Sequence, residues 1–157
     1  QPKATYDLLK QLGDLVGRYD LKVAMETHPD LVTNGDVGRR TMQNVDHPNI
    51  GINFDTANIY YYNKETDTPT ELQKVIDWVV AVHLKDTDGS YHGWCFPALG
   101  EGIVDFKKVF DMLNARGFYG PWTFEIEGVK GDEFTSDLIK GRVEHSLQHL
   151  QKLGCVE

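Results

Sequence analysis

Leu21-Lys-Val-Ala-Met-Glu-Thr-His-Pro29 is a short apolar run that delivers Glu26 and His28 just before a proline breaks it. It is too short for a helix and alternates too little for a half-buried strand, so residues 21–26 are expected to form a strand buried on both faces, as in a parallel sheet. Three later stretches repeat the plan: Ile50-Gly-Ile-Asn-Phe-Asp55, Val79-Val-Ala-Val-His-Leu-Lys85 and Pro121-Trp-Thr-Phe-Glu-Ile-Glu127. Each is apolar and ends on a titratable or metal-capable side chain.

Helical patterns fill the spaces between these runs. Leu8, Leu12, Leu15, Val16 and Tyr19 recur at helical spacing within residues 4–19, so a helix is expected to bury that stripe. A weak helix follows at 36–45, ended by His47-Pro48-Asn49, and strand two is set at 50–54. Residues 56–67 read as a long polar loop with three successive tyrosines, Tyr60, Tyr61 and Tyr62. Thr68-Pro69-Thr70-Glu71 predicts a helix start with Thr68 as cap. Strand three at 79–84 is followed by an excursion, 86–104, rich in glycine. Asp105 is expected to cap a helix that Gly117 ends, before strand four at 121–126. A last helix over about 135–153 is expected to bury Leu138, Val143, Leu147 and Leu150. One helix, then four strand–helix units, implies an α/β fold with a parallel sheet and right-handed crossovers. With 157 residues and no internal linker, the chain reads as a single domain, 1–157.

Gross properties narrow the function. The net charge of −8 argues against a nucleic-acid or anionic-membrane partner. No apolar run reaches the roughly 20 residues of a membrane span. Cys95 and Cys155 are far apart, which gives neither a disulfide framework nor a thiolate metal knuckle, and a reducing cytoplasm is the expected compartment.

In parallel α/β folds, functional groups sit at the carboxyl ends of the strands. Glu26, Asp55, His83 and Glu125 all fall there. Taken singly, Asp55 could cap a turn, either glutamate could pair with a lysine, and His83 could be a core histidine. In one shared register, three carboxylates and an imidazole make a donor set suited to Mn²⁺, Mg²⁺, Co²⁺ or Zn²⁺. His28, Lys85 and Glu127 each lie two residues beyond a ligand candidate and so point to the same side. The excursion Tyr91-His-Gly-Trp-Cys-Phe96 reads as a lid or substrate wall, with a packed Ω-type loop as the alternative. His145 and His149 lack the motif of a helical zinc site and read as a solvated helix face. Gly100-Glu-Gly102 lacks the third glycine of a phosphate-cradling fingerprint.

Met25-Glu26, Phe54-Asp55, Val82-His83-Leu84-Lys85-Asp86, Leu99-Gly100-Glu101-Gly102 and Phe124-Glu125-Ile126-Glu127 together resemble the xylose isomerase-like TIM-barrel family, over about residues 4–153. Within it they look most like the sugar phosphate isomerase/epimerase group. The resemblance implies a (β/α)₈ barrel of which this chain holds the C-terminal half. It implies a divalent metal on Glu26, Asp55, His83 and Glu125, with Glu26 and Glu125 doubling as the acid/base pair. Candidate substrate contacts are His28, Lys85, Asn58, His92 and Trp94. Ketose 3-epimerases of this group carry a His three residues after the metal Asp and an Arg six after the metal His. Here those places hold Asn58 and Gly89, which leaves the sugar or cyclitol substrate open.

The leading expectation is a metal-dependent sugar isomerase or epimerase acting through an enediolate. Its rivals are a keto-sugar or keto-inositol dehydratase or lyase on the same site, an endonuclease IV-like hydrolase, and an inactive fragment or binding module. A barrel of this kind takes about 250 residues. The chain is therefore expected to be a fragment, or to pair with a second half-barrel or with another copy of itself.

Overall fold

The computed structural model describes residues 3–157. Four strands, β1 (Val23–Glu26), β2 (Ile50–Asp55), β3 (Val79–Leu84) and β5 (Trp122–Phe124), form one parallel sheet in the order β1-β2-β3-β5. Helices α1 (Lys3–Gly17), α2 (Gly35–Val45), α4 (Thr68–Val75), α5 (Phe106–Ala115) and α6 (Ser136–Lys152) alternate with them. Parallel pairing sets the register that matters later: Glu26 sits opposite Asn53, and Asp55 opposite His83.

Alternate residues of each strand face opposite ways. Ile52, Phe54, Val82 and Leu84 turn towards the helices and are buried with Met42, Val45, Leu72, Val75, Val109 and Leu113. On the other face Ala24 and Thr123 are exposed. The strand expected to be buried on both faces is thus an edge strand with no fully buried residue before Thr27, and only β2 is buried along its whole length. A helix layer covers one side of the sheet, and on the other side the outer strands β1 and β5 are the exposed ones among the described residues.

The first helix differs from expectation in its face. Leu8, Leu12, Leu15 and Tyr19 are exposed, and Gly13 is the buried residue of α1. The helix docks through Tyr6, Leu9 and Gly13, because a side chain at 13 would run into the His47 ring of the turn beneath it. Asn49 Nδ2 donates to the Gly13 carbonyl at 3.2 Å and fixes this close approach. The last helix shows the same economy: Ser146 and Leu150 are buried, Leu138 and Val143 are half-buried, and Leu147 is exposed. α6 packs on the excursion and the start of α5 through Ser146 and His149, and its outward leucine has no further layer over it among the described residues.

Two local readings change. The expected loop 56–67 contains a helical turn, α3 (Asn58–Tyr62), and residues 56–60 are buried. The cap of α4 is Asp67, whose side chain accepts from Thr70 N at 2.9 Å. Thr68 is buried instead, and its Oγ1 donates to the Thr56 carbonyl at 2.6 Å. The cap at Asp105 and the stop at Gly117 are as expected, and the structure adds two caps that were not read from the sequence, Asn34 on α2 and Thr135 on α6. Gly117 and Gly154 adopt positive φ after α5 and α6.

A second sheet was not legible in the sequence. β4 (Cys95–Phe96) pairs antiparallel with β6 (Gly128–Val129), tying the excursion after β3 to the segment after β5. Among the described residues no helix is long and apolar enough to cross a membrane. The two roles at the start of α4 separate experimentally. Asp67→Ala should cost about 1 kcal/mol by loss of a cap. Thr68→Val should cost about 1–3 kcal/mol, because the buried Thr56 carbonyl loses its donor. Urea denaturation followed by tryptophan fluorescence measures both, and a neutral Thr68→Val would contradict the assignment.

Candidate metal centre and cleft

Glu26 ends β1, Asp55 ends β2, His83 is the penultimate residue of β3, and Glu125 lies one residue past β5. The twist of the sheet gathers the four at one point, with one ligand atom from each within 4.8 Å of the others. His83 Nδ1 lies 2.8 Å from Glu125 Oε2, 3.6 Å from Glu26 Oε1 and 3.9 Å from Asp55 Oδ2.

Threonines fix the strand ends from behind. Thr27 Oγ1 accepts from Asp55 N at 3.1 Å, and Thr56 Oγ1 accepts from Lys85 N at 3.0 Å while donating to Lys85 O at 2.7 Å. Each threonine directly follows a ligand candidate, so alternation turns it away from the cleft and onto the neighbouring strand. Asp55 is held further by its own turn, where Oδ1 accepts from Ala57 N at 2.9 Å and Asn58 N at 2.7 Å.

Asp55 Oδ2 is the telling atom. It is buried and has no hydrogen-bond donor placed for it. Lys85 Nζ lies 3.2 Å away but outside hydrogen-bond geometry. The ammonium offsets the charge without filling the acceptor site of Oδ2, which leaves that oxygen available to a metal cation. With three more hard donors beside it, the group fits a divalent cation of the oxygen- and imidazole-preferring kind.

Lys85 is only 2% exposed and makes ion pairs with Asp55, Glu125 (3.3 Å) and Glu127 (2.7 Å). Burial alone would lower its pKa, but the charges of Asp55, Glu125 and Glu127 outweigh that and hold the ammonium above the ordinary lysine value. Burial pushes Asp55 well above the usual aspartate range, against the pull of Lys85. Burial also raises Glu125, but the adjoining Asp55 carboxyl and the Lys85 and His83 charges bring it below the ordinary glutamate value.

The other candidates are placed as follows. Asn58 Nδ2 donates to Glu26 Oε1 at 3.3 Å and to Thr27 O at 3.0 Å. His28 is exposed, with Nδ1 3.1 Å from Pro29 O and Nε2 2.5 Å from the Tyr62 hydroxyl. The carbonyl can only accept, so Nδ1 donates to it, and Nε2 shares a hydrogen bond with the Tyr62 hydroxyl. His28, Asn58, Lys85 and Trp94 line a cleft of about 230 Å³ with Glu26 and Glu125. His92 does not line it: the ring is exposed, stacks on Tyr91 with centroids 4.1 Å apart and lies 5.3 Å from Tyr61. His145 is half-exposed, whereas His149, expected on a solvated face, packs against Gly100 and Phe106.

Phe96, from the stretch read as a substrate wall, also lines the cleft, as do Tyr61 and Tyr62, to which sequence reasoning gave no site role. The run of tyrosines directly after a ligand-bearing strand was the available signal. Asp86 was missed as well. This carboxylate is fully buried and accepts from Gly100 N at 2.8 Å, Gly102 N at 2.9 Å, Val104 N at 3.1 Å and Thr87 N at 2.9 Å. A side chain at 102 would lie 2.3 Å from Asp86 Oδ1, so glycine is required. Leu99-Gly-Glu-Gly102 is therefore a cradle for a carboxylate of the chain itself.

A parallel sheet with helices outside and ligand-bearing strand ends converging inside defines a β/α-barrel-type chain with a candidate cation site. The chain belongs to the xylose isomerase-like TIM barrel family, whose profile matches residues 3–153. It is 29% identical over 154 residues to L-ribulose-5-phosphate 3-epimerase UlaE of Salmonella typhi, covering 96% of this chain and 52% of the relative. A xylose isomerase domain protein from Planctomyces limnophilus superposes with a TM-score of 0.71 at 28% identity, over 95% of this chain and 49% of that one. A xylose isomerase-like TIM barrel protein from Mycobacterium smegmatis, solved in complex with magnesium, shares the fold at 23% identity and a TM-score of 0.71, over 98% of this chain and 52% of that one. The chain spans about half the length of these relatives.

Lys85→Met leaves Asp55, Glu125 and Glu127 without their shared cation. It should lower stability by about 3–5 kcal/mol in chemical denaturation. Millimolar Mn²⁺ should restore part of the loss by binding the folded state. A wild-type denaturation midpoint would show that Lys85 does not hold the cluster.

Proposed function

We propose that this chain is the site-bearing half of a divalent-metal-dependent sugar isomerase or epimerase that moves a proton on a hydroxy-ketone. The observation that carries the reading is the convergence of Glu26, Asp55, His83 and Glu125 around the undonated Asp55 oxygen. The relatives named as epimerases support it. A divalent cation on those four residues would supply Lewis acidity to a carbonyl and its neighbouring hydroxyl, making the carbon-bound proton between them more acidic.

The chain's own groups then divide the work. Glu26 and Glu125 come from the two outermost strands of the sheet, and both line the cleft. One carboxylate removes the proton as the C–H pair becomes the C=C bond of an enediolate. The other returns a proton to the opposite face. Asn58 fixes Glu26 and Lys85 fixes Glu125, each through the contacts above, and the His28–Tyr62 pair stands where it can orient a hydroxyl. In the assembled protein, Glu26→Gln and Glu125→Gln should each lower deuterium wash-in at the ketose C–H, followed by NMR, by about 10²–10⁴-fold. Calorimetric Mn²⁺ binding should be weakened but retained in both and lost in Asp55→Asn. Near-normal wash-in in both glutamine variants would overturn the reading.

We read residues 1–157 as one domain that another half-sheet completes. Supporting this, the apolar residues Leu8, Leu12, Leu15 and Leu21 are exposed beside β1, and Tyr119 is exposed before β5. Among the described residues neither edge strand has a partner strand on its outer side, a standing invitation to further strands. Light scattering of the isolated chain should show association, and Leu12→Lys with Leu15→Lys should reduce it. A monomer at every concentration would exclude a second copy as the completing half.

A further inference from the structure

Resting on the isomerase reading, we propose that the hydroxy-ketone is uncharged, carrying no phosphate, and that its non-reacting end lies against an aromatic wall formed by Tyr61, Tyr62, Trp94 and Phe96.

The electrostatics of the cleft point this way. Its lining includes the carboxylates Glu26, Glu125 and Glu127 and a single cation, Lys85. That cation is spent on Asp55, Glu125 and Glu127. In (β/α)₈ barrels a phosphate is frequently held by the loops after the last two strands, whose places β3 and β5 take here. The excursion 86–104 contains Asp86, Asp88 and Glu101 and no lysine or arginine. Residues 125–135 contain Glu125, Glu127, Asp132 and Glu133 against one lysine, Lys130. Arg142, which reaches this segment from α6, pairs with Asp132 at 2.7 Å through Nη2, and although its Nη1 has no partner it does not line the cleft. Lys64, at the rim, sits over the Tyr91 ring.

Backbone donors that could hold an anion are also engaged. The N–H groups of Gly100, Gly102 and Val104 form the sort of concavity that binds phosphate. They close on the Asp86 carboxylate instead. The N-terminus of α6 is capped by Thr135 and carries Asp137 in its first turn. A phosphate dianion in this cleft would meet the carboxylates Glu26, Glu125 and Glu127, a heavy electrostatic and desolvation cost.

The wall offers the opposite chemistry. Tyr61 lies at the centre, with ring centroids 4.9 Å from Tyr62, 6.4 Å from Trp94 and 5.9 Å from Phe96, and Trp94 and Phe96 meet edge-to-face at 5.3 Å. Tyr61 O accepts from His92 N at 3.0 Å, which ties α3 to the excursion, and the β4–β6 pair ties the excursion to the segment after β5. The rings are braced in place, and Trp94 remains 47% exposed. Braced aromatic faces suit the C–H side of an uncharged polyol.

L-ribulose and L-ribulose 5-phosphate differ only by the phosphate and make the test. Tryptophan emission of the Mn²⁺-loaded protein is titrated with each, using Trp94→Phe to assign the signal. L-ribulose should change the emission, and the phosphate ester should need at least a ten-fold higher concentration for half-saturation. Raising the salt should narrow that gap, because screening weakens like-charge repulsion. Tyr61→Ala should weaken L-ribulose binding several-fold while leaving Mn²⁺ affinity unchanged. Equal or tighter binding of the ester, or no response to either sugar, overturns the inference. Deuterium wash-in measured alongside separates it from the isomerase reading. Preferential L-ribulose binding without wash-in removes the reading and leaves the inference, whereas faster wash-in with the ester does the reverse.

Discussion

One buried ammonium group organises the functional end of this molecule. Lys85 extends from the end of β3 into a space where Asp55, Glu125 and Glu127 would otherwise repel one another. A surface pair of this kind would be worth little, but here the lysine is almost fully enclosed. Removing the cation would leave three carboxylates facing each other with little water, so the strand ends could not stay together. The convergence of Glu26, Asp55, His83 and Glu125 therefore depends on a residue outside the donor set.

The second constraint is the parity of parallel strands. Because side chains alternate, a residue next to a ligand candidate must face the other way. Thr27 and Thr56 occupy those positions and use their hydroxyls to lock adjacent strand ends together. Asp86 follows Lys85 in the same manner, turned towards the chain and not the cleft. Reactive groups and structural groups thus interleave along three of the four strand ends.

Much of this was legible in the sequence because the signals were local. Four apolar runs ending on titratable residues gave the parallel sheet and the register of the site. Asp105 and Gly117 marked helix limits by chemistry that tertiary structure does not override. What escaped was set by neighbours distant in the chain. The leucine stripe of α1 reads as a core face, but with the sheet open beside β1 the helix docks through Gly13 against His47. Thr68 has the chemistry of a cap, yet the Thr56 carbonyl claims its hydroxyl and Asp67 caps instead. The β4–β6 pair is two residues on each side, far too short for any periodicity to announce. The role of Leu99-Gly-Glu-Gly102 could not be read without knowing which anion would fill it.

Asp86 has a consequence for how such a protein could change over time. One side chain at the start of the excursion binds the backbone at its far end, so both stems of the loop are fastened at a single point. The exposed tip ahead of the tied residues, 88–91, can then be lengthened, shortened or rewritten with little strain passed to β3 or α5. That makes it a natural graft point. New substrate preferences could be installed there while the cation-binding register stays inherited and intact.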